Sequence, residues 1–192
     1  LADIAGSIGD LYPGHTVTQS REVVFLPPDV VVVLDRVDSG SENLTRTFQL
    51  PSPNSATISP DTKLVTLGSG PGALKVQRIF PDAATVTTQP LTALVNTIPG
   101  YDSDFTGGYR TTERVTATGK SEFLHVLSFG TSVASATKVD DGSIRAVKIT
   151  FADGHVATVS FDPAATRGAL EIKASDGTVT RQIDLAPGVE RL

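Results

Sequence analysis

Three histidines, His15, His125 and His155, are the only imidazoles in the chain, and none is near enough in sequence to another for the close spacings by which two rings share one metal ion. Cysteine is absent, which excludes thiolate ligands, disulfides and a cysteine nucleophile. A serine nucleophile would need a sharp turn of the Gly-x-Ser-x-Gly kind, and no such element occurs. The glycines of GSGPG, Gly68 to Gly72, open no helix, so they read as a hairpin connection and not as a phosphate cradle. The richest chemistry lies in GYDSDFTGGY, Gly100 to Tyr109, where Asp102 and Asp104 stand among Tyr101, Phe105 and Tyr109. Two carboxylates fall short of the roughly six to eight oxygens that calcium takes, so no metal or other cofactor is expected. Aromatic faces beside carboxylates suit a sugar ring better. Tyr101, Asp102, Asp104, Tyr109 and His125 form the candidate substrate-binding set, and no catalytic residue is assigned.

His125 sits in an alternating stretch in which Phe123, His125, Leu127 and Phe129 share one face and Leu124, Val126 and Ser128 the other. That placement predicts a core or interface histidine. His155 follows an Asp-Gly turn and is expected to be exposed. Asp35 and Arg36 end the run Val30 to Leu34 and point to opposite faces of their strand, so they cannot pair with each other. Each needs a partner where the apolar run meets a polar seam. Arg46, Arg110 and Arg114 are the candidates for Asp35. The five apolar residues from Val30 to Leu34 do not alternate, which means that both faces of the strand are covered.

The elements that must position these groups are strands. β-Branched Val and Thr are abundant, and no window shows an apolar stripe of helical period. Strands are expected near 16–26, 30–39, 44–50, 55–59, 63–68, 72–80, 84–88, 109–117, 122–130, 144–152, 155–161, 169–174 and 178–185. Asp153-Gly154 and Ser175-Asp176-Gly177 mark two hairpins near the carboxyl end, and Pro27-Pro28-Asp29 and Asp140-Asp141-Gly142 mark further turns. Short strands without intervening helices predict an all-β, antiparallel, multi-stranded sandwich, folded as a single domain over residues 1–192.

A net charge of -5, with Lys and Arg scattered, leaves no footprint for a nucleic-acid partner. No apolar run reaches the roughly 20 residues of a membrane helix, so no membrane partner is expected. The chain contains no Met even at its first position, and reads as a processed, trimmed or excised product.

Three stretches carry a resemblance. REVVFLPPDVVVVLDRVDS, from Arg21, resembles a hallmark of the heparinase II/III-like polysaccharide lyases, in which an Arg opens a strand and a Pro-Asp turn leads to a valine-rich strand ending in Asp-Arg-Val. GALKVQRIFPDAATV and YRTTERVTATGKSEFLHVLSF are similar to later segments of that family, in the same order, and together the three cover about residues 20–130. At Phe48-Gln49-Leu50-Pro51 the chain departs from the many relatives that have a Trp with a His three residues later. The resemblance implies the later part of a carboxyl-terminal β-sandwich. Its catalytic partner would be an amino-terminal α/α toroid, its substrate an acidic polysaccharide cleaved by β-elimination, and its location the periplasm or the exterior. In that family the catalytic Tyr and Asn or His come mainly from the toroid, and a further His and the zinc ligands come from opening strands expected upstream of Leu1. This chain is then inactive alone, supports the catalytic domain and lines the polysaccharide cleft. An autonomous carbohydrate-binding module is the alternative, and an enzyme built on Tyr101, Tyr109 and His125 a third. The stacked sheets of such sandwiches favour cover for Val30 to Leu34 from within the chain.

Overall fold

The computed structural model describes residues 2–7, 18–91, 107–140, 144–163 and 168–185. The expected all-β antiparallel sandwich is what forms. Its strands are β1 (Ala2–Ser7), β2 (Thr18–Leu26), β3 (Val30–Ser52), β4 (Thr57–Ile58), β5 (Leu64–Leu67), β6 (Leu74–Phe80), β7 (Thr85–Pro90), β8 (Tyr109–Phe129), β9 (Val133–Asp140), β10 (Arg145–Phe151), β11 (Val156–Phe161), β12 (Gly168–Lys173) and β13 (Val179–Leu185). Among the described residues a 3-10 turn at Gly70–Gly72 interrupts them, inside the β5–β6 connection.

The first eight strands make one sheet, in the order β1-β2-β3-β8-β6-β5-β4, with β7 paired to the beginning of β8. The last five make a second sheet, a meander in the order β13-β12-β11-β10-β9. Tight turns carry the meander. Asp153 Oδ1 accepts from the His155 amide at 3.1 Å and Asp176 Oδ1 from the Thr178 amide at 2.8 Å, which closes the two Asp-Gly hairpins.

Between the sheets lies the main core. Val24, Val30, Val32, Leu34, Leu124 and Val126 meet Val147, Ile149, Val159, Phe161 and Leu170. This accounts for one face of the valine run. On the other face the buried Val33 and Asp35 pair with His125 and Phe123 of β8, beside a second core built around Phe48, Val65, Leu67, Val76 and Phe123.

β3 and β8 explain that second core. Each was expected as two strands, and each is continuous, with a register shift between Asp38 and Asn43 as the pair passes Gly40 and Gly119. Those glycines have φ of +57° and +73°, a left-handed backbone that side chains with a Cβ avoid. The paired strands bend there and return over themselves. Glu113 and His125 are separated by twelve residues of β8, about 40 Å if the strand were straight. Their side chains stand 3.4 Å apart. The far halves of β3 and β8, with β7, therefore lie over the near halves and cover the second face of Val30–Leu34 from within the chain.

Candidate functional site

The fold-back places one row of side chains over another. Phe48 and Glu113 are cross-strand partners in the far half. Beneath them, Val33, His125 and Arg78 are partners across β3, β8 and β6. The Phe48 ring stacks on the His125 ring with centroids 4.0 Å apart and planes inclined by 18°. Phe123 flanks the same imidazole at 6.3 Å. Stacking of this kind holds an aromatic pair by more than its buried area.

Glu113 is the polar link between the layers. Its Oε2 accepts from Arg78 Nη1 at 3.0 Å, while its Oε1 faces His125 Nε2 at 3.4 Å without hydrogen-bond geometry. Arg78, only 2% exposed, is held further by the carbonyl of Pro81 at 2.9 Å and by Thr62 Oγ1 at 3.2 Å. Thr62 has φ of +59°, an uncommon backbone for a β-branched residue, and the turn that begins at Ser59 holds it there through the Thr62 amide.

One row away, Arg21 clamps Asp35 with two parallel bonds, Nε to Oδ1 at 2.5 Å and Nη2 to Oδ2 at 2.8 Å. The bond to Asp35 raises the Arg21 pKa above its usual value, against the opposing effect of burial, so the guanidinium stays charged. The same guanidinium stands 5.9 Å from the Phe48 centroid, a cation–π distance. Arg46 completes the corner. It donates to Ser39 Oγ at 2.7 Å, to the Ala117 carbonyl at 2.6 Å and to the Gly119 carbonyl, joining the bend to the strand that leaves it. A cleft of about 430 Å³ opens beside this corner, with Arg21, Asp35, Arg46, Phe48 and Phe123 among its walls.

These positions correct one expectation. Asp35 pairs with Arg21, not with Arg46, Arg110 or Arg114. The β2–β3 hairpin sets Arg21 directly opposite Asp35, while Arg46 is committed to backbone carbonyls at the bend. The expected polar seam at Arg36 exists. Arg36 bonds Glu22 and the Asp162 carbonyl, and its Nε lies 3.8 Å from Glu122, which also accepts from Arg145.

Of the candidate sugar-binding residues, Tyr101, Asp102 and Asp104 lie outside the described residues. Tyr109 is half-buried at the start of β8, four residues and about 13 Å along the strand from Glu113. His125 is in the interior at 1% exposure, and among the described residues neither ring nitrogen has a hydrogen-bond partner. Tyr109 and His125 are therefore not joined. His155 is exposed beside its turn, as expected, with Nδ1 3.0 Å from Asp153 Oδ2. Among the described residues no group of three or more His, Cys, Asp or Glu gathers into a metal-binding set.

Arg21, Arg78 and Glu113 are the site residues that the reading of motifs passed over. One was within reach of arithmetic. A three-residue turn between Leu26 and Val30 pairs positions whose numbers sum to 56, and 21 with 35 is such a pair. Chemically, the arrangement supplies two ion pairs and an imidazole enclosed by aromatic rings. A substrate proton would have to enter a closed interior to meet it. No protein-family model and no curated protein matches this chain.

Proposed function

We propose that the chain is the carboxyl-terminal β-sandwich of a heparinase II/III-like polysaccharide lyase, a rigid body that supports a helical catalytic domain and does not itself break bonds. The observation that carries this reading is the commitment of the buried carboxylates to arginines: Asp35 with Arg21 and Glu22 with Arg36 between β2 and β3, and Glu113 with Arg78 across the fold-back. β-Elimination needs a base at the proton alpha to a uronate carboxylate and a group that neutralises that carboxylate. Paired, buried charges serve architecture instead. Two of the pairs tie β2 to β3 and the third ties the far half of β8 to β6, so that the doubled β3–β8 ribbon presents a firm wall to a polymer lying across it. Tyr109, at the start of the far half of β8, belongs to that wall.

The test has two arms. Incubated with alginate, heparin or heparan sulfate, the chain should yield no ultraviolet absorbance from unsaturated uronate, and turnover would refute the supporting role. The coding sequence upstream of Leu1 should specify a His-bearing strand and, before it, a helical toroid. An upstream region without helices would remove the lyase assignment. Micromolar calorimetric binding of uronate oligosaccharides to the chain alone would favour a binding module instead.

A further inference from the structure

The two ends of the sandwich are finished differently. At the end where β2 and β10 begin, a chain of charges spans both sheets. Glu22, Arg36 and Glu122 of the large sheet meet Arg145 of β10 and the backbone of Asp162. Lys138 and Arg145 lie 4.3 and 5.4 Å from the Phe80 centroid, over the edge of the core. That end is polar: a cleft of about 510 Å³ opens there as well, and Asp82, Lys120, Glu122, Lys138 and Arg145 line it.

The opposite end, where the turns after β2, β5, β8, β10 and β12 gather, is open and apolar. A cleft of about 510 Å³ enters between the sheets there, floored by the core residues Leu26, Ala157 and Leu170 and walled by Phe151 and Ile172. Phe129 at 49% and Val179 at 47% are the large hydrophobic side chains that stand exposed among the described residues, and both lie at this end. Exposed Pro27, Pro28 and Pro71 extend the same surface. Isolated exposed apolar residues need no account, but an apolar cleft with exposed hydrophobic residues gathered at the same end is what interaction sites show.

Charge decides the kind of partner. Asp29 and Asp153 line the cleft, and Asp176 stands on the adjoining turn, since a Cβ placed at Gly154 would lie 3.0 Å from that of Ser175. Asp29 Oδ1 is shielded from solvent and has no hydrogen-bond partner among the described residues. Against these three carboxylates the lining offers one standing cation, Arg181, while His155 is held by Asp153. An acidic polymer or an anionic lipid surface would meet repulsion here.

We propose that this end of the sandwich is a docking surface for a polypeptide segment that presents an apolar anchor side chain beside Lys or Arg. The anchor enters the cleft over Leu26, Ala157 and Leu170. Its basic neighbours meet Asp29, Asp153 and Asp176. Phe129 and Val179 ring the contact and exclude water from it, the usual anatomy of an interface centre. The inference does not depend on the lyase assignment, and no polysaccharide enters its test.

A library of short random peptides displayed on phage, selected against the chain, reads the surface directly. Enriched peptides should pair an aromatic or aliphatic residue with Lys or Arg. Their affinity should fall about tenfold or more in Phe129→Ser and Val179→Ser, exposed positions at which folding has little at stake. Binding should also weaken in Asp29→Asn and at raised salt, as a charge contact does. Enriched peptides without basic residues, or binding indifferent to all three variants, would overturn the proposal. So would concentration-dependent dimerisation in sedimentation that Phe129→Ser abolishes, because the surface would then belong to a second copy of the chain.

Discussion

Glu113 and His125 share one strand, yet Glu113 Oε1 stands 3.4 Å from His125 Nε2 because the strand between them doubles back. Glu113 also carries the charge that Arg78 needs. Replacing it by Ala strands a guanidinium in a site only 2% exposed, a change that typically costs about 3–5 kcal/mol. Urea titration should show that loss for Glu113→Ala and a smaller one for Glu113→Gln, which keeps an acceptor. Removing both charges, as Arg78→Met with Glu113→Leu, should recover much of it. If the double variant is as unstable as the single, the ion pair is not what the site depends on.

Phe48 fastens the far half of the ribbon by its ring. Phe48→Ala removes the stack on His125 and leaves a cavity, worth about 3–5 kcal/mol for a buried Phe. The loss should be local before it is global. In native-state hydrogen exchange, amides of 43–52, 85–90 and 109–118 should lose protection first, while β10, β11 and β12 keep theirs. Uniform loss across both sheets would show that the fold-back is not a separable unit.

Much of the secondary structure was legible because strand physics is local. The Asp-Gly pairs flanked by alternating residues placed β10 to β13, and the turn at Pro27-Pro28-Asp29 placed β2 against β3. β9 was not foreseen, since Val-Ala-Ser-Ala-Thr-Lys alternates small and polar residues without a marked apolar side. Nor was β1. The continuity of β3 and β8 was hidden by Gly40 and Gly119, which look like chain breaks but only bend a ladder that continues. That something covers both faces of Val30–Leu34 could be read from five apolar residues in a row. That the cover is the same ribbon could not, because the contacts of Glu113 with Arg78 and of Phe48 with His125 are set by a bend, and no spacing encodes them.

Acid should weaken the hairpin tips in a defined direction. Asp153 and Asp176 are held below the ordinary carboxylate range chiefly by the backbone amides of His155 and Thr178, and Asp61 chiefly by the Ser59 hydroxyl. A carboxyl whose folded pKa is depressed contributes stability that is fully present above its unfolded value, about 3.9 for Asp, and is lost as pH falls through the lower folded value. Carboxyl-carbon NMR should therefore give midpoints below 3.9, on the order of the free Asp value, for all three. Asp176→Asn should flatten that tip's share of the acid dependence and lower stability slightly near neutrality, where the carboxylate's contribution is fully present. A midpoint above the free value at any of them would contradict the amide and hydroxyl bonds described.

Two glycines distinguish close approach from backbone strain. At Gly168, where β12 begins, a Cβ would lie 2.1 Å from the Ser160 carbonyl oxygen and 3.2 Å from its carbon. Neither is a flexible side chain that could swing aside, so Gly168→Ala must push β12 away from β11. The displaced ladder runs Phe161 with Gly168 and Val159 with Leu170, both beside the main core. Gly119→Ala meets no such obstacle, its nearest non-adjacent atom being the Gly40 carbonyl oxygen at 3.8 Å, and carries only the left-handed penalty of φ +73°, about 1–2 kcal/mol. The Gly168 variant should therefore be the less stable of the two, with a thermal midpoint several degrees lower at roughly 2–4 °C per kcal/mol for a chain of this size. Its loss of exchange protection should centre on β11 and β12, and that of Gly119→Ala on the bend at 38–43 and 118–120. Equal destabilisation, or the reverse order, would mean that β12 shifts at little cost and that the approach at Ser160 does not fix the second sheet.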